Sequence, residues 1–534
     1  MVMAGVVVEP GTAMAVAYRA IVIGIDDYQD NDLLPDLHGA VNDAEGLAKT
    51  FGDLQFTEVT LLVDAAARRK AFRDAWRRTL GASAAGDVIF LTYAGHGMQM
   101  VAADEASEAD ALDEFLPLAG FSRSRPGNRE FLLDNEFNAL IRRAGRKGVS
   151  VVMVIDACHS GTSFRSVDRR AAPRYRFSPV ILERGTLGPV APLATRGPAD
   201  EPGDGAAEVS TGAVPENLIS FGGATDGTLV PEVNLPDETG AMQSHGALSY
   251  FFARGLQGAA DADGDGTVRF DEMAHYLSWN IDVVTAGTQR PRFVTNEAGA
   301  ERALARPGRG HRVVPMAADA AIRVAVLGRG RGSSSVRGAE IGAVADRGTA
   351  DLIWDPETGE VISGLDTIVA YDVDADGLQG VVDRRRARNG LIMLGESASL
   401  TVEALPEKPL YEEGEVVTLS VEILDLPYLV LFDIANDGTV QFLYPYEDGE
   451  DAPLDTGTPY RIEDVAVTGP FGADLLVAVT TRSPLAPMVA ALAALDGVRD
   501  PMAALAVLRR WLPRTKYRLG MLSFYTCRPE TGPC

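Results

Sequence analysis

The sequence predicts an α/β protein: an open, largely parallel sheet with helices on both faces, followed by β-rich C-terminal domains. Three observations carry this. Short apolar, β-rich runs alternate with stretches of helical spacing from Tyr18 to about Val294. Past a linker at Arg306–Arg312 the texture changes to short alternating strands with turn signals. A chain of 534 residues is also too long for one ordinary core, so two to four domains are expected.

Ile21–Ile25, Val59–Val63, Val88–Tyr93 and Val151–Ile155 are short apolar runs bounded by Gly or Asp, expected as buried strands. Between them Asn42–Phe51, Arg68–Leu80 and Asp134–Arg143 carry helical spacing. Around Phe164–Val214 regular patterning stops in a Pro-, Gly- and Ala-rich stretch holding Arg169, Arg170, Arg174, Arg176, Arg184 and Arg196. Loops of that length inside a compact domain are usually functional or disordered. A strand at Leu218–Phe221 and a helix at Gly246–Leu256 resume the fold. Later strands are expected at Ala321–Leu327, Asp351–Trp354, Thr367–Val373, Val416–Ile423 and Tyr428–Asp433. Asn436-Asp437-Gly438 before Thr439–Tyr444 signals a hairpin, and Ala486–Leu512 a late helical stretch. The expected domains are 18–305, a small β-rich unit at 313–400, and a β-rich accessory unit at 401–534.

Composition is that of a soluble globular protein, 46% hydrophobic and 23% charged, and no apolar run approaches a membrane span. A net charge of −26 argues against nucleic acid or an anionic membrane as partner and suits basic substrates or cations. Two basic clusters, Arg384–Arg388 and Arg509–Arg518, are expected as solvated faces. Cys527 and Cys534 could close a small disulfide loop, and Ala15-Val16-Ala17 resembles a signal-peptidase site; both hint at export. The first residues lack a positive segment and carry Glu9 and Pro10, so localisation stays open between cytoplasm and export.

Two strands end in reactive residues. Val88–Tyr93 runs into Ala94-Gly95-His96-Gly97, and Val151–Ile155 into Asp156-Ala157-Cys158-His159-Ser160-Gly161. In open α/β sheets the strand ends form the binding crevice, so neighbouring strands would bring both side chains together. A thiol attacks only as thiolate, and a nearby imidazole favours that state and relays the proton. Glycines flanking His96 let backbone approach a substrate closely. The N–H groups of Gly97 and Cys158 could form an oxyanion hole.

These two boxes resemble those of metacaspases and bacterial caspase-like cysteine peptidases. Ala20–Tyr28 with Gly39-Ala40-Val41-Asn42-Asp43-Ala44 resembles that family's first strand and following loop. The likeness covers roughly Tyr18 to Val294 and implies a caspase-like open sheet. It implies His96 and Cys158 as the catalytic dyad, a thioester acyl-enzyme, and His159 as scaffold. In the metacaspase pattern the positions of Asp43 and Asp156 line the S1 pocket. Two carboxylates there would hold a guanidinium or ammonium, so protein or peptide substrates with Arg or Lys at P1 are expected. Ala40 and Ala94 replace a frequent cysteine and serine. The Arg-rich stretch at about 164–215 lies where the family has its linker, and self-cleavage there is expected. Metacaspases are typically monomeric, and the same state is expected here.

Asp261 to Glu272 fits a twelve-residue EF-hand loop, with Asp261, Asp263, Asp265, the Thr267 carbonyl and Glu272 as candidate Ca2+ ligands. Arg269 is unusual at the ninth position, and an Asp/Gly turn capping the next helix is the alternative. The family's own calcium site is half kept: Asp113 and Asp134 match its acids, while Asn135 and Arg165 stand where acids are usual. Asp372–Gly377 is expected as a β-turn. Leu410–Pro445 resembles a β-rich domain often appended to bacterial caspase-like peptidases. No organic cofactor is expected. A catalytically silent caspase-like scaffold and a gingipain- or legumain-like hydrolase remain as alternatives.

Overall fold

The computed structural model describes the chain apart from residues 1–15, 102–111, 159–173, 179, 184–185, 189–214, 225–228, 238–240, 286–288, 308–320, 328–335, 344–349, 365–367, 396–397, 399, 407, 409, 446–451 and 528–534. His159, Arg165, Arg169, Arg170, Arg184, Arg196 and Cys534 therefore lie outside the described residues, as does most of the stretch 164–215.

The N-terminal half contains β1 (Tyr18–Gly24), α1 (Ala40–Asp53), β2 (Glu58–Val63), α2 (Arg69–Ala82), β3 (Val88–Ala94), β4 (Met98–Val101), β5 (Leu112–Pro117), β6 (Phe131–Leu133), α3 (Asp134–Arg146) and β7 (Ser150–Asp156). It continues with β8 (Leu218–Gly222), β9 (Glu232–Pro236), β10 (Met242–Gly246), α4 (Ala247–Arg254), α5 (Phe270–Thr285), β11 (Arg292–Val294) and α6 (Glu297–Ala300). Six strands form one sheet in the order β11-β8-β7-β3-β1-β2, parallel except for β11 at the edge. β3 is buried at every position, which is why its sequence is continuously apolar rather than alternating. Cores on both faces account for this: Phe51, Phe90 and Phe252 belong to one, and Phe72, Trp76 and Leu91 to the other. The register sets Ala94 opposite Asp156, so the turns after β3 and β7 emerge side by side.

The C-terminal half contains β12 (Ile322–Val326), β13 (Ala339–Ala343), β14 (Leu352–Asp355), β15 (Glu360–Ser363), β16 (Ile368–Ala370), α7 (Leu378–Gly395), β17 (Val402–Leu405), β18 (Tyr411–Glu412), β19 (Val416–Val421) and β20 (Tyr428–Ile434). β21 (Val440–Tyr444), β22 (Tyr460–Ala466), β23 (Gly472–Thr481), α8 (Ala486–Ala493), α9 (Pro501–Trp511) and β24 (Tyr517–Cys527) complete it. The region is β-rich as expected, but strands read as two separate modules share one ten-stranded sheet, joined where Ala370 of β16 pairs with Gly472 of β23. The late helical stretch is two helices, α8 and α9, with Asp500 capping the second through the Ala503 N–H. Cys527 is disulfide-bonded, and Cys158 is a buried cysteine outside any disulfide.

The Arg384–Arg388 cluster is corrected by the structure. Arg384 and Arg388 are buried on α7, not part of a solvated face. Burial lowers both guanidinium pKa values, that of Arg388 to about 9, while Asp474 and Asp433 oppose the shift at Arg384. α7 is covered on both sides: Trp279 of α5 approaches it at Gly395, and Leu505 of α9 approaches it at Gly390. The two halves thus share a continuous core containing Trp279, Leu391, Leu505 and Leu519.

Candidate active site

His96 follows β3 and is held by two tyrosines. Its backbone N–H donates to the Tyr28 hydroxyl at 2.9 Å, and the Tyr93 hydroxyl donates to its carbonyl at 2.8 Å. Both rings are buried. Gly95 is required by this clamp, since a Cβ there would stand 2.5 Å from the Tyr28 hydroxyl and 2.8 Å from that of Tyr93. The imidazole Nε2 lies 2.7 Å from the Pro35 carbonyl. A carbonyl only accepts, so Nε2 carries the proton and Nδ1 keeps a lone pair. Nδ1 is buried with no hydrogen-bond partner. It is the basic atom of the site. Burial lowers the His96 pKa to about 4, with the Pro35 bond opposing, so the ring is neutral near pH 7.

Cys158 follows β7 and is fully buried, packed with Phe177 and Val230. What covers it is the chain itself. The Arg176 carbonyl accepts hydrogen bonds from the Gly97 N–H at 3.0 Å and the Cys158 N–H at 3.1 Å. These are the two donors expected to form an oxyanion hole, and both distances fit such a site.

The Arg176 side chain is buried among carboxylates. Its Nη2 lies 2.6 Å from Asp43 Oδ2 and 3.4 Å from Glu232 Oε1, and its Nη1 lies 3.2 Å from Asp156 Oδ2. The carboxylates are positioned from elsewhere in the fold. Asp43 sits in the first turn of α1, where it takes the Gly246 N–H at 2.8 Å and bonds His245 Nδ1 at 2.8 Å. Asp156 ends β7 and takes the Ser249 N–H of α4 at 2.9 Å. Glu232 starts β9 and takes the N–H groups of His38 and Gly39 at 2.9 and 2.7 Å. Burial opposes the Arg176 charge, but Asp43, Asp156 and Glu232 outweigh it and hold the guanidinium pKa above its ordinary value. Burial raises that of Asp156, with Arg176 pulling the other way. No member of this group has a side chain more than 3% exposed. A carboxylate so enclosed costs several kcal/mol when unpaired, so the pocket demands a cation.

The sequence indicated Asp43 and Asp156 but not Glu232, His245 or Pro35. Glu232 and His245 belong to the β9–β10 hairpin, about 190 residues beyond Asp43 in the chain. The available signal was an acid in the alternating run Val230-Pro231-Glu232-Val233-Asn234-Leu235.

The candidate calcium loop lies apart from this site, between α4 and α5. The carboxylates of Asp261, Asp263 and Asp265 come within 4.8 Å of one another. Gly264 and Gly266 adopt φ of +75° and +84°, letting the loop turn back on itself. Glu272 accepts the Ala262 and Arg269 N–H groups, and the Arg269 guanidinium pairs with Asp265 at 2.8 Å. Thr267 donates its N–H to Asp265, and Val268 pairs with Ala305. Asp113 lies in β5 and Asp134 opens α3, while the Asn135 side chain is outside the described residues. Asp372–Gly377 is a turn, with the Asp374 carboxylate taking the N–H groups of Asp376 and Gly377.

Residues 17–298, just over half of the chain, match the family model of the Caspase domain. Metacaspase-3 of Trypanosoma cruzi (strain CL Brener) is 29% identical over 166 residues, covering 29% of this chain and 43% of its own length. Metacaspase-7 of Arabidopsis thaliana is 28% identical over 153 residues, covering 27% of this chain and 35% of its own. The chain spans less than half the length of these curated relatives. A protein of Geobacter sulfurreducens of known structure is 20% identical with a TM-score of 0.35, covering 56% of this chain and 99% of that one. On the match over residues 17–298 and its metacaspase relatives, the chain belongs to the caspase family of cysteine peptidases.

Proposed function

We propose that this chain is a cysteine endopeptidase that cleaves protein or peptide substrates after Arg or Lys. The supporting observation is an arginine side chain held among Asp43, Asp156 and Glu232 with its carbonyl on the N–H groups of Gly97 and Cys158. His96 Nδ1 takes the Cys158 proton, and the thiolate adds to the substrate carbonyl. The two N–H groups hold the oxyanion, which collapses to a thioester as His96 returns the proton to the leaving amine. Water then releases the acid. A monomeric enzyme is proposed, as the metacaspase resemblance implies. The Arg-rich stretch 164–215 is the proposed region of self-processing.

Fluorogenic peptides with Arg, Lys, Asp or Asn at P1 test this reading. Turnover of the basic pair, lost in Cys158→Ala, is expected. Asp or Asn turnover overturns the pocket assignment, and no turnover of any favours the silent scaffold.

The loop 261–272 is the proposed Ca2+ site. Three clustered carboxylates, two glycine turns and helices on both sides fit the ion. Asp261, Asp263, Asp265, the Thr267 carbonyl and Glu272 would hold it, with Arg269 leaving Asp265. Calcium bound there would fix the α4–α5 junction. A calorimetric titration showing no Ca2+ uptake, or equal uptake by Glu272→Ala, overturns this assignment.

A further inference from the structure

We propose that residues 174–178 lie across the active site as the enzyme's own substrate. The Arg176–Phe177 bond is the first it cuts in itself, and the uncut chain is latent because Arg176 fills the S1 pocket. This rests on the peptidase reading and narrows it from a long Arg-rich stretch to one bond.

The backbone on both sides of that bond is held as a bound peptide would be. On the N-terminal side, the Arg176 N–H donates to the Val230 carbonyl at 2.9 Å and the Glu232 N–H to the Arg174 carbonyl at 2.9 Å. Tyr175 thereby pairs antiparallel with Pro231, adding a strand to the residues that lead into β9. On the C-terminal side, Phe177 pairs parallel with Gly97, and the Ser178 N–H donates to the Gly97 carbonyl at 3.2 Å. Further on, Leu182 exchanges bonds with the Gln99 carbonyl and the Val101 N–H along β4, at 3.0 and 3.1 Å. Main-chain pairing, a filled charge pocket and a carbonyl on both oxyanion donors coincide at Arg176. Arg174, two residues earlier, is only half-buried.

The step is an ordinary hydrolysis with water as the second reactant. Cys158 Sγ, its proton passed to His96 Nδ1, bonds the Arg176 carbonyl carbon. The C–N bond to Phe177 breaks as His96 protonates the departing amine. Water, giving a proton to His96, then cleaves the thioester, leaving an Arg176 carboxylate, a Phe177 amine and the Cys158 thiol. An outside peptide cannot reach Cys158 while the segment stays, because thiol and pocket are both fully buried. The first cut is therefore intramolecular. It frees the Arg176 carboxyl end, whose carboxylate is repelled by the three acids it leaves.

Freshly purified full-length chain, at two concentrations tenfold apart, is followed by intact mass and N-terminal sequencing beside Cys158→Ala and Arg176→Gln. An Arg-P1 fluorogenic peptide and an arginyl chloromethyl ketone report access to the site. A new N-terminus at Phe177 is expected with the same half-time at both concentrations, and none in Cys158→Ala. Peptide turnover and ketone labelling should rise at least tenfold as the cut proceeds, whereas Arg176→Gln works without a lag. Should Arg176→Gln not fold, the wild-type time course decides alone. An active chain whose Arg176–Phe177 bond stays whole overturns the site. A cut without a rise in activity overturns latency, and a half-time that shortens tenfold with concentration overturns the intramolecular route. No turnover or labelling by any form, cut or uncut, is a different failure: it removes the peptidase reading itself.

Discussion

Replacing Glu232 by Gln removes one charge from the S1 pocket while keeping the side chain's length. Glu232 Oε1 lies 3.4 Å from Nη2 of the bound guanidinium. At that distance and an effective dielectric of about 20, the bare attraction is roughly 5 kcal/mol, an upper bound. The contact is longer than those of Asp43 and Asp156, which remain. Glu232 also bonds two backbone N–H groups that partly neutralise it. The net loss should then be about 1–2 kcal/mol, or about 5- to 30-fold in kcat/KM for Arg substrates. A Lys ammonium is a single point rather than a fork and cannot meet all three acids in the same way, so it should lose less. The assay is kcat/KM on matched Arg and Lys peptides with processed enzyme. An Arg-to-Lys preference that stays within twofold of wild type would refute the assignment of Glu232 to the pocket.

Asp43→Asn and Asp156→Asn should be more damaging, about 100-fold or more in kcat/KM on Arg peptides, because each leaves a buried guanidinium short of its shorter-range partner. Wild-type rates in either would remove them from the pocket. Gly95→Ala should lower stability by about 1–3 kcal/mol and reduce kcat, since its Cβ displaces the Tyr28 and Tyr93 hydroxyls that hold His96. An unchanged thermal midpoint would contradict this. His96 makes the uncut chain acid-sensitive. Its pKa falls from 6.5 to about 4 on folding, so below pH 6.5 the unfolded chain binds a proton that the folded chain refuses until about pH 4. Its contribution is present above pH 6.5 and lost as the pH falls, by about 2–3 kcal/mol at pH 4.5. Urea unfolding of Cys158→Ala should show that loss between pH 7 and 4.5, and Cys158→Ala/His96→Gln should not; equal losses would refute it.

The dyad candidates were legible because each follows a short apolar strand, whereas Asp43 and Asp156 were legible only through their likeness to the metacaspase pattern. The continuous apolar runs of β3 and β7 marked both as buried strands, but their adjacency and the register of Ala94 with Asp156 come from the structure. Glu232 and His245 were not legible, because their role depends on a hairpin folding back over α1, a contact between segments some 190 residues apart. Arg176 was one arginine among several, and only burial and backbone pairing distinguish it. α7 escaped because apolar and basic residues lie all round it, leaving no amphipathic stripe, and its arginines misleadingly suggested solvent. The single C-terminal sheet was hidden for a related reason: β16 and β23 are joined by one pairing across about 100 residues of chain.

One kinetic comparison decides whether a Cys158–His96 pair cuts after a basic residue held by three acids. The most direct measurement is kcat/KM of the processed enzyme on peptides differing only at P1, beside Cys158→Ala. Turnover of Arg and Lys peptides is expected, with none of Asp or Asn peptides and none of any by the variant. Hydrolysis of Asp or Asn peptides, or equal Arg turnover by Cys158→Ala, would contradict it.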